Sequence, residues 1–182
     1  MKRWSLACAA LGLLGAPLGW TISDRLEARN EFCVACHLPD GSPLHRAKGR
    51  EFEARPAPNL AAAHRLAEPD FRCIDCHGGA SFVNKLRVRA VAARDAAFWL
   101  VGAFEEPEQM AHPLWDEDCT RCHARYHPER DDDFHALADH NIDFVHRCVE
   151  CHRSHPGGGR PEFAHLERDV ILPICRNCHE EF

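Results

Sequence analysis

Five times the chain repeats one pattern, two cysteines separated by two residues with a histidine directly after the second. The copies are Cys33-Val34-Ala35-Cys36-His37, Cys73-Ile74-Asp75-Cys76-His77, Cys119-Thr120-Arg121-Cys122-His123, Cys148-Val149-Glu150-Cys151-His152 and Cys175-Arg176-Asn177-Cys178-His179. Two thiols at this spacing can bond the two vinyl groups of one porphyrin edge as thioethers. The next residue then lies under the ring and ligates the iron from the proximal side, which is the attachment signature of c-type haem. A disulfide frame accounts for an even number of cysteines but not for a histidine after every second one. Structural zinc needs four ligands per ion, and five pairs do not combine evenly. A thioredoxin-like motif occurs singly beside a βαβ pattern, which this sequence lacks. Five haem c groups are therefore the expected cofactors, with His37, His77, His123, His152 and His179 as proximal ligands.

Nine histidines stand outside the motifs. A second histidine on an iron gives a six-coordinate, low-spin centre suited to electron transfer, with no open position for a substrate. His64, His112, His140 and His165 each lie 7–10 residues ahead of a motif, and His45 follows the first motif by eight. His155 comes three residues after His152. These six are the distal candidates; His127, His135 and His146 are weaker ones. Spacing does not say which iron each would serve.

The whole chain has 182 residues, 11 cysteines, 14 histidines and a formal net charge of −6. An acidic chain is a poor general nucleic-acid binder, because phosphate contacts need a basic face. Its 45% apolar content argues against disorder. Five porphyrins in so short a chain leave little room for a side-chain core, so the haems must themselves form the core. The expected fold class is mainly α with much irregular structure.

Lys2 and Arg3 precede an apolar stretch from Trp4 to Ile22, and Asp24, Arg25, Glu27 and Arg29 follow it. As a helix this stretch is about 28 Å long, close to one hydrocarbon thickness. Trp4 and Trp20 bracket it as interfacial anchors would. Residues 1–23 read as an uncleaved transmembrane anchor with the amino end in the cytoplasm, and residues 24–182 as an exported five-haem domain. A cleaved signal peptide is the rival reading. It lacks a well-placed small-x-small site, since Ala7-Cys8-Ala9 comes early and Pro17 follows Ala16. The eleventh cysteine, Cys8, sits in the apolar run and reads as packing.

Five prolines between 39 and 70 indicate irregular wrapping, with a short helix at Leu60–Ala67. The longest expected helix runs from Phe82 to Phe104, ended by Glu105-Glu106-Pro107. Lys85, Arg87, Arg89 and Arg94 make its first half basic. That face could meet anionic lipid heads, or the helix could pack on haem with its charges in water. Asp131-Asp132-Asp133 reads as a solvated loop, and Gly157-Gly158-Gly159 as a link before the last motif.

The anchor and the order of the segments behind it resemble the membrane-anchored quinol dehydrogenase cytochromes of the NapC/NirT/NrfH family. The resemblance spans roughly residues 1–155. It rests on Glu31-Phe32 before the first motif, on His64 ahead of the second, on the basic helix leading to Val101-Gly102-Ala103-Phe104-Glu105-Glu106-Pro107, and on the fourth motif followed by His155. It implies a chain at the bacterial inner membrane, facing the periplasm, that takes electrons from quinol and passes them to an exported partner. It also implies that a lysine and an acidic residue near the membrane-proximal haem handle the quinol; Lys85 and Asp95 are the available residues. The sequence departs from that family in carrying a fifth motif. It also has Pro39 where the family often places a ligand methionine, the only methionines being Met1 and Met110. Two other functions fit the motifs. One is a protein-to-protein carrier with no quinol site, and the other is a small multihaem reductase. The second would need an open iron, and the Lys-terminated C-x-x-C-K motif of ammonia-forming nitrite reductases is absent. Haem propionates would add negative charge, so a basic partner face is expected.

Overall fold

The computed structural model describes residues 15, 17–107, 110–126, 128–129, 134–141, 146–155 and 165–181. The regular structure is helical, as expected; among the described residues the β content is one isolated antiparallel bridge, His37 to Pro43. Residues 17–27 form α1. The expected anchor is thus described only over its last part. No helix among the described residues is long and apolar enough to cross a membrane.

The motif segments are short helices in a mesh of loops. They are α2 (Asn30–Cys33), α5 (Cys73–His77), α7 (Asp116–Thr120), α9 (Cys148–Cys151) and α10 (Arg168–Cys175). Between the first two lie α3 (Arg46–Phe52) and α4 (Leu60–Ala67). A 3-10 turn at Phe134–Ala136 and α8 (Ala138–Asn141) precede the fourth motif. The buried apolar side chains are Leu44, Phe52 and Ala62. Side-chain burial alone does not close this domain, and polar ties set much of its shape.

The strongest of those ties begins at α4. Asn59 is buried and caps the helix by accepting the Ala62 N–H at 3.0 Å. Its amide donates to the His155 carbonyl at 3.0 Å, and the Ala61 N–H donates to the Ser154 carbonyl at 2.9 Å. The start of α4 is thereby pinned to a segment nearly a hundred residues further on. Phe52, from α3, and Phe71 continue this packing, and Phe71 lies against the His64 ring at 5.1 Å.

The long helix, α6 (Phe82–Leu100), starts at Ser81, whose hydroxyl accepts the Asn84 N–H at 3.1 Å. It ends earlier than the expected Phe104. Gly102 has φ +71°, its N–H donates to the Trp99 carbonyl, and the Ala103 N–H reaches back to that of Phe98. This is a left-handed glycine terminator, so the helix stops before Glu105-Glu106-Pro107. Arg89 on α6 pairs with Asp24 and Glu27 and stacks on Trp20. The face that could have met lipid heads is thus committed, at Arg89, to the chain's own α1 segment. Asp131-Asp132-Asp133 and Gly157-Gly158-Gly159 lie outside the described residues.

Candidate functional site

Cysteines three residues apart project from the same side of one helical turn, and four of the five motifs are built this way. His123, His152 and His179 donate their backbone N–H to the carbonyl of the first cysteine of their own motif, at 3.0, 2.8 and 2.9 Å. In the second motif the whole Cys73–His77 stretch is helical. The first motif differs. Its helix stops at Cys33, and the chain then turns back so that Leu44 donates to the Cys36 carbonyl at 3.0 Å and His37 bridges Pro43.

Side chains tie each of the first three motifs to the next. The first-turn N–H groups of a helix have no partner within it, and here side chains of neighbouring motifs accept from backbone N–H groups at or beside such turns. Asn30 on α2 accepts the Cys73 N–H at 2.9 Å. Asp118 on α7 accepts the Ala80 N–H at 2.7 Å, just after the second motif. Asp116 on α7 accepts the Cys148 N–H at 2.9 Å while pairing with Arg125 at 2.9 Å. The first cysteines of neighbouring motifs also meet. The Cys33 and Cys73 thiols hydrogen-bond, which pushes Cys33 up and draws Cys73 down to about 7. Cys119 and Cys148 hydrogen-bond in the same way, with Cys119 lowered and Cys148 raised. Asn30, Asp116 and Asp118 escape sequence reasoning, because each acts on a backbone group more than 30 residues away.

Four motif histidines face a second imidazole at nearly constant distance. The ring centroids are 5.9 Å apart for His77 and His155, 5.7 Å for His123 and His64, 6.0 Å for His152 and His135, and 6.0 Å for His179 and His140. One such pair would be an ordinary aromatic contact; the recurrence is informative. A first-row metal sits about 2 Å from an imidazole nitrogen, so an iron with one imidazole on each face holds the centroids about 6 Å apart. The residues present therefore fit a haem iron with two histidines.

Burial holds several of these rings neutral, which leaves a lone pair for a metal. Burial pulls His77 down to about 4, with His155 adding to the effect. It also lowers His155 and His152. The His64 Nδ1 bonds the Leu60 carbonyl at 2.9 Å and the His135 Nδ1 bonds that of Arg125 at 3.1 Å, so both present Nε2 outward. Among the described residues no group of three or more His, Cys, Asp or Glu could hold a metal ion. A haem iron asks only two ligands of the chain, the porphyrin supplying the rest.

Of the six distal candidates, His64, His140 and His155 face motif histidines. His135, ranked behind them in the sequence, does so as well; nothing in its spacing marks it, because the fold alone brings it to His152. His45 pairs with Glu106, and His112 packs on Trp115 at 5.8 Å. His165 is buried with φ +58° and makes no hydrogen bond through Nδ1. His146 pairs with Glu150 at 2.6 Å. His127 lies outside the described residues. His37 bonds the Leu38 carbonyl through Nδ1 at 3.2 Å, and its neighbouring ring is Trp99 at 5.8 Å, whose indole N–H donates to the His37 carbonyl.

Lys85 lines a cavity of about 270 Å³ together with Asp24, Glu27, Arg72, Arg89 and Arg121. Asp95 is not among the lining residues and pairs with Arg94 at 2.8 Å. Ten residues of helix separate Lys85 from Asp95, about 15 Å of rise, so the fold does not bring the two together.

No family model matches the chain, and no solved structure does. The chain is similar to a protein of Allochromatium vinosum described as a tetraheme cytochrome of the c type. The two are 24% identical over 174 residues, which is 84% of this chain and 88% of that protein. This likeness points toward the multihaem c-type cytochromes and an electron-transfer role.

Proposed function

We propose that this chain is a five-haem c-type cytochrome that relays electrons from the membrane quinol pool to an exported redox partner. The observation that carries the reading is the second imidazole facing four of the five motif histidines at 5.7–6.0 Å. Haem c, when bound, supplies a one-electron ferric/ferrous couple. The chain's own residues tether and orient. The ten motif cysteines would hold the porphyrin edges, and the motif histidines would serve as proximal ligands. His155, facing His77, would ligate the haem held by the second motif, and His64, facing His123, that held by the third. Two histidines would leave no position for substrate on such an iron, which suits these residues to electron transfer and not to chemistry on a ligand.

The ties through Asn30, Asp118 and Asp116 favour a relay in chain order, from the first motif to the fourth. The first motif follows α1 directly in the chain, hence comes first after the expected membrane anchor. Its setting is distinct, because the indole beside His37 has no lone pair to offer a metal. The resemblance to the NapC/NirT/NrfH family supports a place at the bacterial inner membrane with the haem domain outside. The net charge of −6 suits a partner with a basic face.

A second reading, a carrier that exchanges electrons only with proteins, is favoured by the separation of Asp95 from the Lys85 cavity. Reduction of the purified five-haem protein in lipid vesicles by a menaquinol analogue separates the two. The relay predicts reduction that Lys85→Ala slows. An intact five-haem protein that menaquinol fails to reduce is a carrier. A pyridine haemochrome assay returning two haems or fewer per chain sinks both.

A further inference from the structure

Two of the four facing pairs draw on a single short segment. His135, in the 3-10 turn, faces His152 of the fourth motif at 6.0 Å and 22°. His140, in α8, faces His179 of the fifth motif at 6.0 Å and 58°. Turn and helix are continuous, with the Leu137 N–H donating to the Phe134 carbonyl and the His140 N–H to that of Leu137. Phe134 touches both imidazoles. It stacks on His140 at 4.4 Å and 8°, and meets His135 edge-on at 5.5 Å and 85°. The two motif helices themselves, α9 and α10, pack against each other.

We infer that residues 134–141 form one strap that supplies the distal ligand of two irons, His135 to the haem on Cys148 and Cys151 and His140 to the haem on Cys175 and Cys178. The inference rests on the five-haem reading. Five residues of chain span at most about 17 Å when extended and about 7.5 Å as helix, so the two irons must be neighbours. The fifth haem is then in series with the fourth and is the far end of the relay. Phe134 is a positioning residue that sets the planes of both imidazoles.

Spin state tests this in the full-length holoprotein. His140→Ala is expected to keep five haems by pyridine haemochrome and to convert one of them to high spin in the ferric EPR spectrum. Cys175→Ser/Cys178→Ser removes the fifth attachment and leaves a four-haem chain. Adding His140→Ala to that chain is expected to create no high-spin haem, whereas adding His135→Ala converts one of the four. Should His140→Ala produce a high-spin haem in the four-haem chain, or none in the five-haem chain, the assignment is overturned. His140→Met, which keeps a sixth ligand, guards against misfolding. It should add a His–Met absorption band to the five-haem chain and not to the four-haem chain; the opposite pattern also refutes the strap. Phe134→Ala should create no new high-spin haem while shifting the low-spin signals of two; no shift removes its positioning role. A wild-type count below five haems would instead strike the parent reading.

Discussion

Asn59→Ala should loosen two candidate ligand sites through one side chain. Asn59 is 1% exposed and holds α4, which carries His64, to the backbone of His155. Alanine removes the helix cap, a loss of about 1 kcal/mol. It also takes the amide donor from the His155 carbonyl, a further loss of about 1–1.5 kcal/mol. The amide's 3.4 Å contact with Glu51 is long and adds little. The expected total is about 2–2.5 kcal/mol. Denaturant unfolding of the holoprotein, followed by haem absorption, reads this as a lower midpoint at unchanged slope. Asn59→Ser is the control. It keeps an oxygen for the Ala62 N–H but cannot reach the His155 carbonyl, and should recover about 1 kcal/mol. A loss below about 0.5 kcal/mol for alanine, the range of ordinary surface substitutions, would refute the role given to this residue. So would a serine variant no better than alanine.

Asp116→Ala should cost about 1–3 kcal/mol, because the Cys148 N–H loses its acceptor and Arg125 loses one of its acceptors; differential unfolding against Glu117→Ala, an exposed neighbour, measures it. Gly79→Ala and Gly102→Ala both place a side chain at positive φ, a strain of about 1–2 kcal/mol. Gly79 should be the worse, since its Cβ would lie 2.7 Å from the backbone of Asn84 and Lys85, whereas that of Gly102 meets nothing within 4 Å; equal melting temperatures would contradict the geometry. Asp40 is held below the usual carboxylate range by hydrogen bonds from Ser42. Its folded value being depressed, any stability it lends is present above the ordinary aspartate range and is lost as pH falls through that folded value. Carboxyl titration by NMR should find Asp40 low in the native protein and returned toward ordinary in Ser42→Ala.

The attachment chemistry was legible in the chain because it is local. A cysteine pair and the histidine after it occupy about one turn, and four of the motifs adopt that turn with bonds made inside the motif. Helix α4 was equally readable, with Asn59 as its cap and Leu60–Ala67 as its length. The end of α6 was also written locally, in Gly102, although the acidic residues and proline beyond it drew attention further along. The pairing of histidines was not legible. His64 lies ahead of the second motif yet faces the third, and His155 follows the fourth yet faces the second. His135 had no spacing to recommend it. Sequence distance to the nearest motif fails because a distal ligand must come from the far side of the ring, and another part of the chain covers that side. The same reason hid Asn30, Asp116 and Asp118, whose acceptors serve backbone groups of other motifs. The sequence by itself determined the five cysteine–histidine motifs and so the residues that would tether haem. Only the tertiary structure decided which imidazoles face each other, because that depends on how separate helical turns are tied together in space.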